Sequence, residues 1–327
     1  MKRFLQSLLY TMLFTAFMSS CDQEFEVDLD QIPIESELKR FDRAFYGTDT
    51  ANFKAEIEAL KDDFGPFFSD QQELIFFRNQ RLDEQNQRLF EISEQQFGDL
   101  EEWKVSLNNM LKRYYYYFGS EDTIETYTYI SSLDFNYPVV FAKPYLFIEL
   151  DMYLGEKGKE FYKFLPEYLQ FHHQPAFMLR DAAYEIAKAQ GPPPAEPATL
   201  LDAMIYHGKV LKLTERLLGK VSEDVLLVYP QKKYQFAQAH EKDMWIYFIE
   251  NQLLFKTDQE VQRRFIEVAP FSKFRTKTDP ETPGRIGRWF GYRIVDAFLN
   301  ENSNLTLQDL LNERDSRKIL KLSRYKP

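Results

Sequence analysis

Cysteine is nearly absent from this chain of 327 residues, which contains one, Cys21. A disulfide framework within one chain is therefore excluded. The sequence also lacks a phosphate-binding glycine loop, a dinucleotide fingerprint, a C-x-x-C pair and a G-x-S-x-G nucleophile motif. It has no extended basic patch, and its formal net charge is -10. These absences argue against nucleic-acid binding, nucleotide chemistry and serine or cysteine nucleophiles.

Residues 1–20 have the pattern of a bacterial lipoprotein signal peptide. Two basic residues come first, an apolar stretch covers 4–17, and small residues precede Cys21 in a lipobox-like sequence. The apolar stretch is short for a membrane-spanning helix. We therefore predict that this leader is removed and that Cys21 carries the lipid that attaches the protein to a membrane leaflet.

The chain after the leader divides into a short acidic segment and a long body. Residues 21–33 are rich in Asp and Glu, and we interpret them as a tether that holds the body away from the membrane. Residues 34–327 are predicted to form a single domain. Because the chain is 44% hydrophobic and contains 30 Phe and 20 Tyr, the core of this domain is expected to be large and aromatic.

Periodicity predicts an α+β fold that is mainly helical. Apolar residues recur at helical spacing through much of 34–118 and again in the second half of the chain. Three segments between them, 126–130, 139–142 and 145–153, have the composition or the alternation of strands. We expect these strands to form a small antiparallel sheet.

The third predicted strand carries two acidic residues on one of its faces. Leu146 and Ile148 alternate with Glu149, and Asp151 continues the acidic side. Beside a pair of helices, such a face would line a cleft. A face that is simply in contact with solvent is the alternative interpretation.

Two helices joined by a proline-rich turn are predicted at the centre of the chain. The sequence M-L-R-D-A-A-Y-E-I-A-K-A-Q precedes the loop G-P-P-P-A-E-P, and a second segment with helical periodicity continues to Leu218. Tyr184, Glu185 and Lys188 fall on the polar face of the first helix. His207 lies at the edge of the apolar stripe of the second helix.

This pair of helices resembles the zinc-binding unit of gluzincin peptidases, whose first helix contains H-E-x-x-H. Here Y-E-I-A-K stands in that position, and His207 stands about where the third ligand would be. Three further segments, F-I-E-L-D-M-Y-L-G, D-A-M-I-Y-H-G-K and P-G-R-I-G-R-W-F-G-Y-R-I-V, resemble the GldB family of gliding-motility lipoproteins of Bacteroidetes. That family is similar to predicted zinc-dependent peptidases.

The resemblance implies a degenerate zincin-like frame in a cell-envelope lipoprotein that is required for gliding motility. It implies partners among the envelope proteins of the gliding or type IX secretion machinery. The folded body would lie in the periplasm, with the outer membrane favoured over the inner. No cofactor, metal or catalytic residue is expected, because a protonated lysine has no lone pair for zinc and tyrosine is an uncommon ligand. We interpret the chain as a pseudopeptidase with a binding or scaffold role.

The predicted recognition surface combines the acidic strand face with the polar residues of the two helices: Glu149, Asp151, Tyr184, Glu185, Lys188 and His207. An extended peptide would pair with the strand edge and meet side chains of both charges. Two alternatives stay open. One is a periplasmic metallopeptidase with an altered metal site, in which His172 or His173 joins His207 and Glu185; the other is a purely structural lipoprotein.

The helix predicted near the C-terminal end has two unusual features. Gly287 and Gly291 lower its stability, so another element is expected to approach it closely. Arg285, Arg288 and Arg293 form a local positive cluster. Carboxylate partners within the fold are expected for these arginines.

Overall fold

The computed structural model describes residues 27–69, 73–119 and 123–327. The predicted signal peptide and Cys21 lie outside the described residues, as does most of the predicted tether. In the described ranges, no helix combines the length and the apolar character needed to cross a bilayer.

The chain divides into two compact units, Met1–Pro33 and Ile34–Pro327. In its described part, the first unit contains a 3-10 turn at Leu29–Gln31. The second unit contains the helices and strands described below.

The second unit is mainly helical with one small sheet, so the predicted α+β class is confirmed. In chain order, the described helices are α1 (Phe41–Tyr46), α2 (Phe53–Phe64), α3 (Leu74–Leu82), α4 (Glu84–Phe97), α5 (Glu101–Phe118), α6 (Lys159–Tyr162), α7 (Glu167–Gln170), α8 (Met178–Lys188), α9 (Leu200–Leu218), α10 (Glu223–Leu227), α11 (Gln231–Ala239), α12 (Glu241–Glu250), α13 (Gln259–Phe265), α14 (Ile286–Glu301), α15 (Leu307–Asn312) and α16 (Ser316–Ser323). The strands are β1 (Leu38–Arg40), β2 (Glu125–Tyr129), β3 (Val139–Ala142) and β4 (Tyr145–Glu149).

The sheet is mixed, whereas the strand pattern predicted an antiparallel one. Its order is β1-β2-β4-β3, and β2 runs parallel to both β1 and β4. β3 pairs with β4 antiparallel. The predicted set lacked β1, because three residues are too few to show alternation, and the helices that follow β1 provide the crossover that parallel pairing needs. Since β4 is paired on both sides, its backbone is not free to receive a peptide.

The two faces of the sheet contact different layers. On one face, Leu146 and Ile148 pack in the same core as Ala182 and Ile186 of α8. This contact positions the first helix of the predicted site against the sheet. The sheet thus packs on this helix as predicted, and it does so through the apolar face of β4.

The opposite face of the sheet is covered by aromatic residues of the N-terminal helices. Tyr127 and Phe147 stack on adjacent strands with ring centroids 5.5 Å apart. Phe67 contacts the Phe147 ring edge-on at 5.4 Å and stacks on Phe41 at 3.9 Å. This second core accounts for much of the aromatic content of the N-terminal part.

Helices α9 and α14 cross at glycine residues, as the sequence predicts for Gly287 and Gly291. A Cβ atom added to Gly291 would lie 1.7 Å from the carbonyl oxygen of Met204, and one added to Gly208 would lie 2.2 Å from the carbonyl oxygen of Gly291. At Gly287 the corresponding distance to the carbonyl oxygen of Phe265 is 2.9 Å. The backbones therefore touch directly, and no larger residue fits at Gly291.

Two predicted elements are shorter in the structure. The long helix expected between 232 and 255 is divided into α11 and α12 at His240, whose backbone (φ -117°, ψ 19°) departs from helical geometry. The strand expected over 145–153 ends at Glu149 and continues as a 3-10 turn, Leu150–Met152. Periodicity extends through both interruptions, so it could not reveal them.

Candidate functional site

Three helices meet at the hydroxyl group of Tyr184. Its oxygen lies 3.3 Å from Nδ1 of His207, which α9 presents beside α8. Arg288 of α14 donates to the same hydroxyl at 3.4 Å, and its Nε donates to the carbonyl oxygen of Ile266 at 2.8 Å. The close crossing of α9 and α14 brings these groups together.

Arg180 holds the ring of Tyr184 from one turn earlier in α8. Its guanidinium carbon lies 4.4 Å from the ring centroid, a cation–π distance. Its Nε donates to the carbonyl oxygen of Leu226 at 2.8 Å, and one NH group donates to Asp181 at 2.8 Å. Tyr153 donates to the other oxygen of Asp181 at 2.9 Å. The tyrosine orientation is therefore supported from several elements.

Arg285 adds a further cation immediately before α14. Its guanidinium donates to Nε2 of His172 at 3.4 Å and to the carbonyl oxygens of Leu227 at 3.3 Å and Val228 at 3.4 Å. Tyr229 donates to the Arg285 carbonyl oxygen at 3.1 Å. Together these contacts define what we call the cationic cluster, which consists of His172, Arg180, Tyr184, His207, Arg285 and Arg288.

The cationic cluster contains more positive than negative charge. Arg180 has a carboxylate partner in Asp181, whereas in the described part of the chain neither Arg285 nor Arg288 forms an ion pair. Arg293 is different, because it pairs with Glu241 at 3.1 Å. The expected carboxylate partners therefore exist for Arg293 but not for the two arginines that face the histidines.

Burial and positive charge keep both imidazoles of the cluster neutral. Burial lowers the pKa of His172 to about 2, and the charges of Arg285 and Arg180 act in the same direction. Burial, followed by Arg288 and Arg285, holds the pKa of His207 well below its usual value. Burial also lowers the pKa of Arg285 to about 10, which leaves it protonated at neutral pH. The cluster therefore presents guanidinium charge beside uncharged imidazoles.

The structure brings some of the predicted site residues together and separates others. Tyr184 and His207 are in the cationic cluster. Glu185 and Lys188 form a surface pair at 2.9 Å, with the Lys188 side chain 51% exposed. His173 instead contacts the carbonyl oxygen of Met152 at 3.0 Å. Arg180 was not among the predicted site residues, although its position one turn before Tyr184 was a usable signal.

Glu149 and Asp151 are buried, and the Glu149 side chain lies on the sheet face opposite α8. Tyr129 donates to Oε1 of Glu149 at 2.6 Å. Asp151 accepts hydrogen bonds from the backbone N–H groups of Ser131 at 3.0 Å and Leu133 at 2.8 Å. The structure therefore gives neither residue the solvated position considered for them, and it does not bring Glu149 to the helical cluster.

A cavity of about 510 Å³ lies along α8 and α9 next to the cationic cluster. The proline-rich turn forms one wall, and Tyr206, Lys209 and Glu313 contribute to the others. The ring of Tyr206, a lining residue, lies 5.1 Å from that of His207, while the residues of the cluster themselves do not line the cavity. The cavity has the size of a ligand pocket, and both acidic and basic side chains line it.

The donor set does not match a metal centre. Among the described residues, no group of three or more His, Cys, Asp and Glu side chains is arranged to hold a metal ion. Tyr184 and His207, which stand where a zincin would have zinc ligands, contact each other instead, and Arg288 donates to the same tyrosine hydroxyl. Zinc sites need several converging lone pairs, which guanidinium and ammonium groups cannot provide.

Fold and site thus define a mainly helical α+β domain with a cationic cluster between three helices. The family model described as Gliding motility protein GldB matches residues 22–327, and the chain belongs to this family. The family assignment implies involvement in gliding motility and association with the cell envelope. No curated protein and no solved structure matched the chain, so the zincin-like frame stays a prediction.

Proposed function

We propose that this chain is a lipid-anchored envelope protein that serves gliding motility as a non-catalytic binding component of the motility and type IX secretion machinery. Membership of the GldB family supports the role in motility. The lipobox-like sequence before Cys21 supports attachment to a membrane leaflet, with the body in the periplasm. The outer membrane is the expected location.

The observation that carries the proposal is the uncompensated charge of the cationic cluster. The guanidinium groups of Arg285 and Arg288 have neutral partners, and the imidazoles beside them are uncharged. A partly buried cation without a counter-ion is unfavourable, so the cluster attracts an anionic group. Planar guanidinium groups match carboxylates through paired hydrogen bonds. We infer that the ligand is a carboxylate of a protein segment.

The surroundings of the cluster suit an extended segment of a partner. A chain that passes along α8 and α9 would enter the nearby cavity, where Lys209 donates to the backbone carbonyl of Glu313 and the Glu313 carboxylate pairs with Lys318. Lys188 stands exposed at the edge, where it can meet a second carboxylate. Because β4 is paired on both sides, recognition here depends on side chains and not on an added strand.

A periplasmic metallopeptidase with an altered metal site is the second candidate, and the imidazole of His207 is the observation that favours it. The neighbouring Arg288 opposes this candidate, because its charge repels a divalent cation. Metal analysis of the purified protein distinguishes the two. Stoichiometric zinc that is lost in His207→Ala would favour the enzyme. Gene deletion tests a third possibility, because normal spreading and secretion of the deletion strain would favour a purely structural lipoprotein.

The binding role is tested by replacing the native copy in a gliding cell with the double variant Tyr184→Phe, Lys188→Ala. We expect a loss of gliding at least as large as tenfold in the fraction of moving cells, with normal protein level and a melting temperature near that of the wild type. The first change removes the contact to His207 and Arg288, and the second removes the exposed cation.

The matched control is Tyr116→Phe, Lys61→Ala, which makes the same chemical changes at two exposed positions outside the cluster. It should glide normally. A stable and fully motile Tyr184→Phe, Lys188→Ala variant contradicts the binding role. In a separate experiment, in-cell crosslinking from position 188 identifies the partner. The lipid anchor is tested by Cys21→Ser, which should release the body from the membrane fraction.

A further inference from the structure

A second cavity, of about 270 Å³, lies on the far side of the sheet from the cationic cluster. Phenylalanine rings of α1, α3 and the turn after α2 form much of its wall, among them Phe41, Phe67 and Phe76. Phe76 is also 46% exposed, so this wall borders solvent. We call this space the acidic cavity, because three acidic residues line it: Asp42, Asp134 and Glu149. Its volume suits one small molecule or one long side chain.

The acidic cavity is located where three parallel strands end. Asp42 follows β1, Tyr129 is the last residue of β2, and Glu149 is the last residue of β4. Parallel strands present their carboxyl ends at one edge, which is where open sheets commonly bind ligands. The register pairs Tyr129 with Glu149, and the tyrosine hydroxyl donates to Oε1 at 2.6 Å.

Glu149 lines the cavity with one half of its carboxyl group unpaired. The residue is 2% exposed, and its Oε2 has no hydrogen-bond partner among the described residues. A buried acceptor without a partner is costly and rare in folded proteins. Tyr129 occupies the other oxygen, and the Ser131 hydroxyl, which also lines the cavity and favours the ionised form of Glu149, donates to Asp151 at 3.3 Å. The open position at Oε2 is therefore suited to a donor from a ligand.

The ionisable groups around Glu149 are mainly carboxyls, and burial raises the pKa of one of them, Asp151. Asp134 lines the cavity, and Asp151 and Asp134 both raise the pKa of the Glu149 carboxyl. Asp42 is neutralised by Arg40 at 2.6 Å. Arg81 lies over the ring of Tyr46, a lining residue, at 5.9 Å from the ring centroid. A ligand that carries positive charge would therefore be attracted to this end of the sheet.

We propose that the acidic cavity binds a primary organic ammonium group on an apolar or aromatic stem. One N–H of the ammonium would donate to Oε2 of Glu149. The faces of the surrounding rings attract a cation, and the stem replaces water along the apolar wall. A free amine and a lysine side chain of a partner share this chemistry.

The proposal predicts a proton linkage. Burial raises the pKa of Glu149 to about 8, with contributions from Asp151 and Asp134 that Tyr129 and Ser131 partly offset. The free protein therefore holds a proton on this carboxyl at pH 7, whereas the bound ammonium favours the ionised form. Affinity should rise by roughly tenfold from pH 6 to pH 7 and level off above pH 8, with release of one proton on binding.

The test is calorimetric titration of the full-length protein in mild detergent, with micelles alone as the blank. 2-Phenylethylammonium is compared with its neutral analogue 2-phenylethanol at pH 6, 7 and 8, in buffers of different ionisation enthalpy. We expect the ammonium to bind at least tenfold more tightly than the alcohol at pH 8. Nα-acetyl-lysine amide is the second probe, and the tighter of the two cations identifies the source.

Glu149→Gln, which preserves shape, should weaken ammonium binding at least tenfold and remove the pH dependence. Glu58→Gln on the exposed face of α2 is the matched control and should bind like the wild type. Phe76→Ala should weaken binding while the pH dependence stays. Equal binding of ammonium and alcohol, wild-type affinity in Glu149→Gln, or no binding of either cation at pH 8 would overturn the proposal.

Discussion

The cationic cluster and the acidic cavity contain buried ionisable groups of opposite sign, and burial acts on them in opposite directions. In the cluster, burial lowers the pKa of His172 and His207, so the imidazoles stay neutral beside guanidinium groups. In the cavity, burial raises the pKa of Glu149 to about 8, so its carboxyl stays protonated. In both regions, therefore, protonation state reduces the charge of groups that have no ion-pair partner, beside the ion pairs Arg180–Asp181 and Arg40–Asp42. Under the two proposals made above, ligands of opposite charge bind on the two faces of one sheet.

The two regions are also assembled differently. The cluster depends on helices that are distant in sequence, since Tyr184 meets Arg288 only through the crossing of α9 and α14. The cavity depends on the carboxyl ends of neighbouring strands, where Tyr129 and Glu149 are partners in register. Changes at the crossing should therefore disturb the cluster, and changes at Glu149 should leave it intact.

The largest effect is expected for Gly291→Ala, which should destabilise the packing of α9 against α14. The new Cβ would lie 1.7 Å from the carbonyl oxygen of Met204, so α9 and α14 would have to separate. Overpacking of this kind costs about 3 kcal/mol or more, enough to reduce the yield of folded protein strongly. Thermal unfolding followed by circular dichroism measures the loss.

Gly191→Ala is the control for that change, because no atom lies within 4 Å of the corresponding Cβ position. It should leave the melting temperature within a degree or two of the wild type, as usual for open surface sites. Equal stability of Gly291→Ala and the wild type would contradict the close crossing of the two helices.

A pH-dependent effect is expected for Glu149→Gln, which tests the acidic cavity. Below the ordinary carboxyl pKa both the folded and the unfolded wild type hold the proton, so its effect on stability is absent there. As pH rises toward 8, the unfolded state releases the proton and the folded state retains it, which costs the wild type about 1.4 kcal/mol for each pH unit. The variant should therefore gain stability relative to the wild type between pH 5 and pH 8.

Chemical denaturation at several pH values measures this trend. Glu58→Gln, which makes the same chemical change on the exposed face of α2, is the matched control for the substitution. A constant difference between Glu149→Gln and the wild type across pH 5 to 8 would mean that the buried carboxyl is ionised throughout.

The smallest and most local effect concerns the cluster. The His207 ring should show no titration in NMR spectra between pH 5 and pH 8, and Arg288→Met should raise its pKa by removing the second contribution to the shift. Since the unfolded imidazole takes up a proton below about pH 6.5, the lowered pKa costs the folded state stability as pH falls. A His207 midpoint near 6.5 in the wild type would contradict the neutral cluster.

Much of the fold follows from local sequence patterns. Helical periodicity predicted α8, α9 and α14, and the alternation in β4 separated its apolar residues from its acidic ones. The glycine spacing in α14 predicted a close contact. Periodicity is informative here because each of these elements buries one face, and the buried face has to be apolar.

The candidate site was only partly predictable. Tyr184 and His207 were identified as members of one site, and they are in contact. Glu149 was assigned to the same surface, yet its side chain lies on the other face of the sheet. Alternation separates the two faces of a strand but does not say which face meets which helix, and that ambiguity produced the error.

The sequence by itself determined the class of fold, the family and which residues form the central helices. These features depend on local patterns and on the order of short motifs along the chain. The tertiary structure decided the parallel pairing of β2, the meeting of Arg288 with Tyr184 across 104 residues, and the burial of Glu149. Strand partners and the protonation of buried groups depend on which distant elements pack together. Such packing is a property of the whole domain, and no local stretch of residues encodes it.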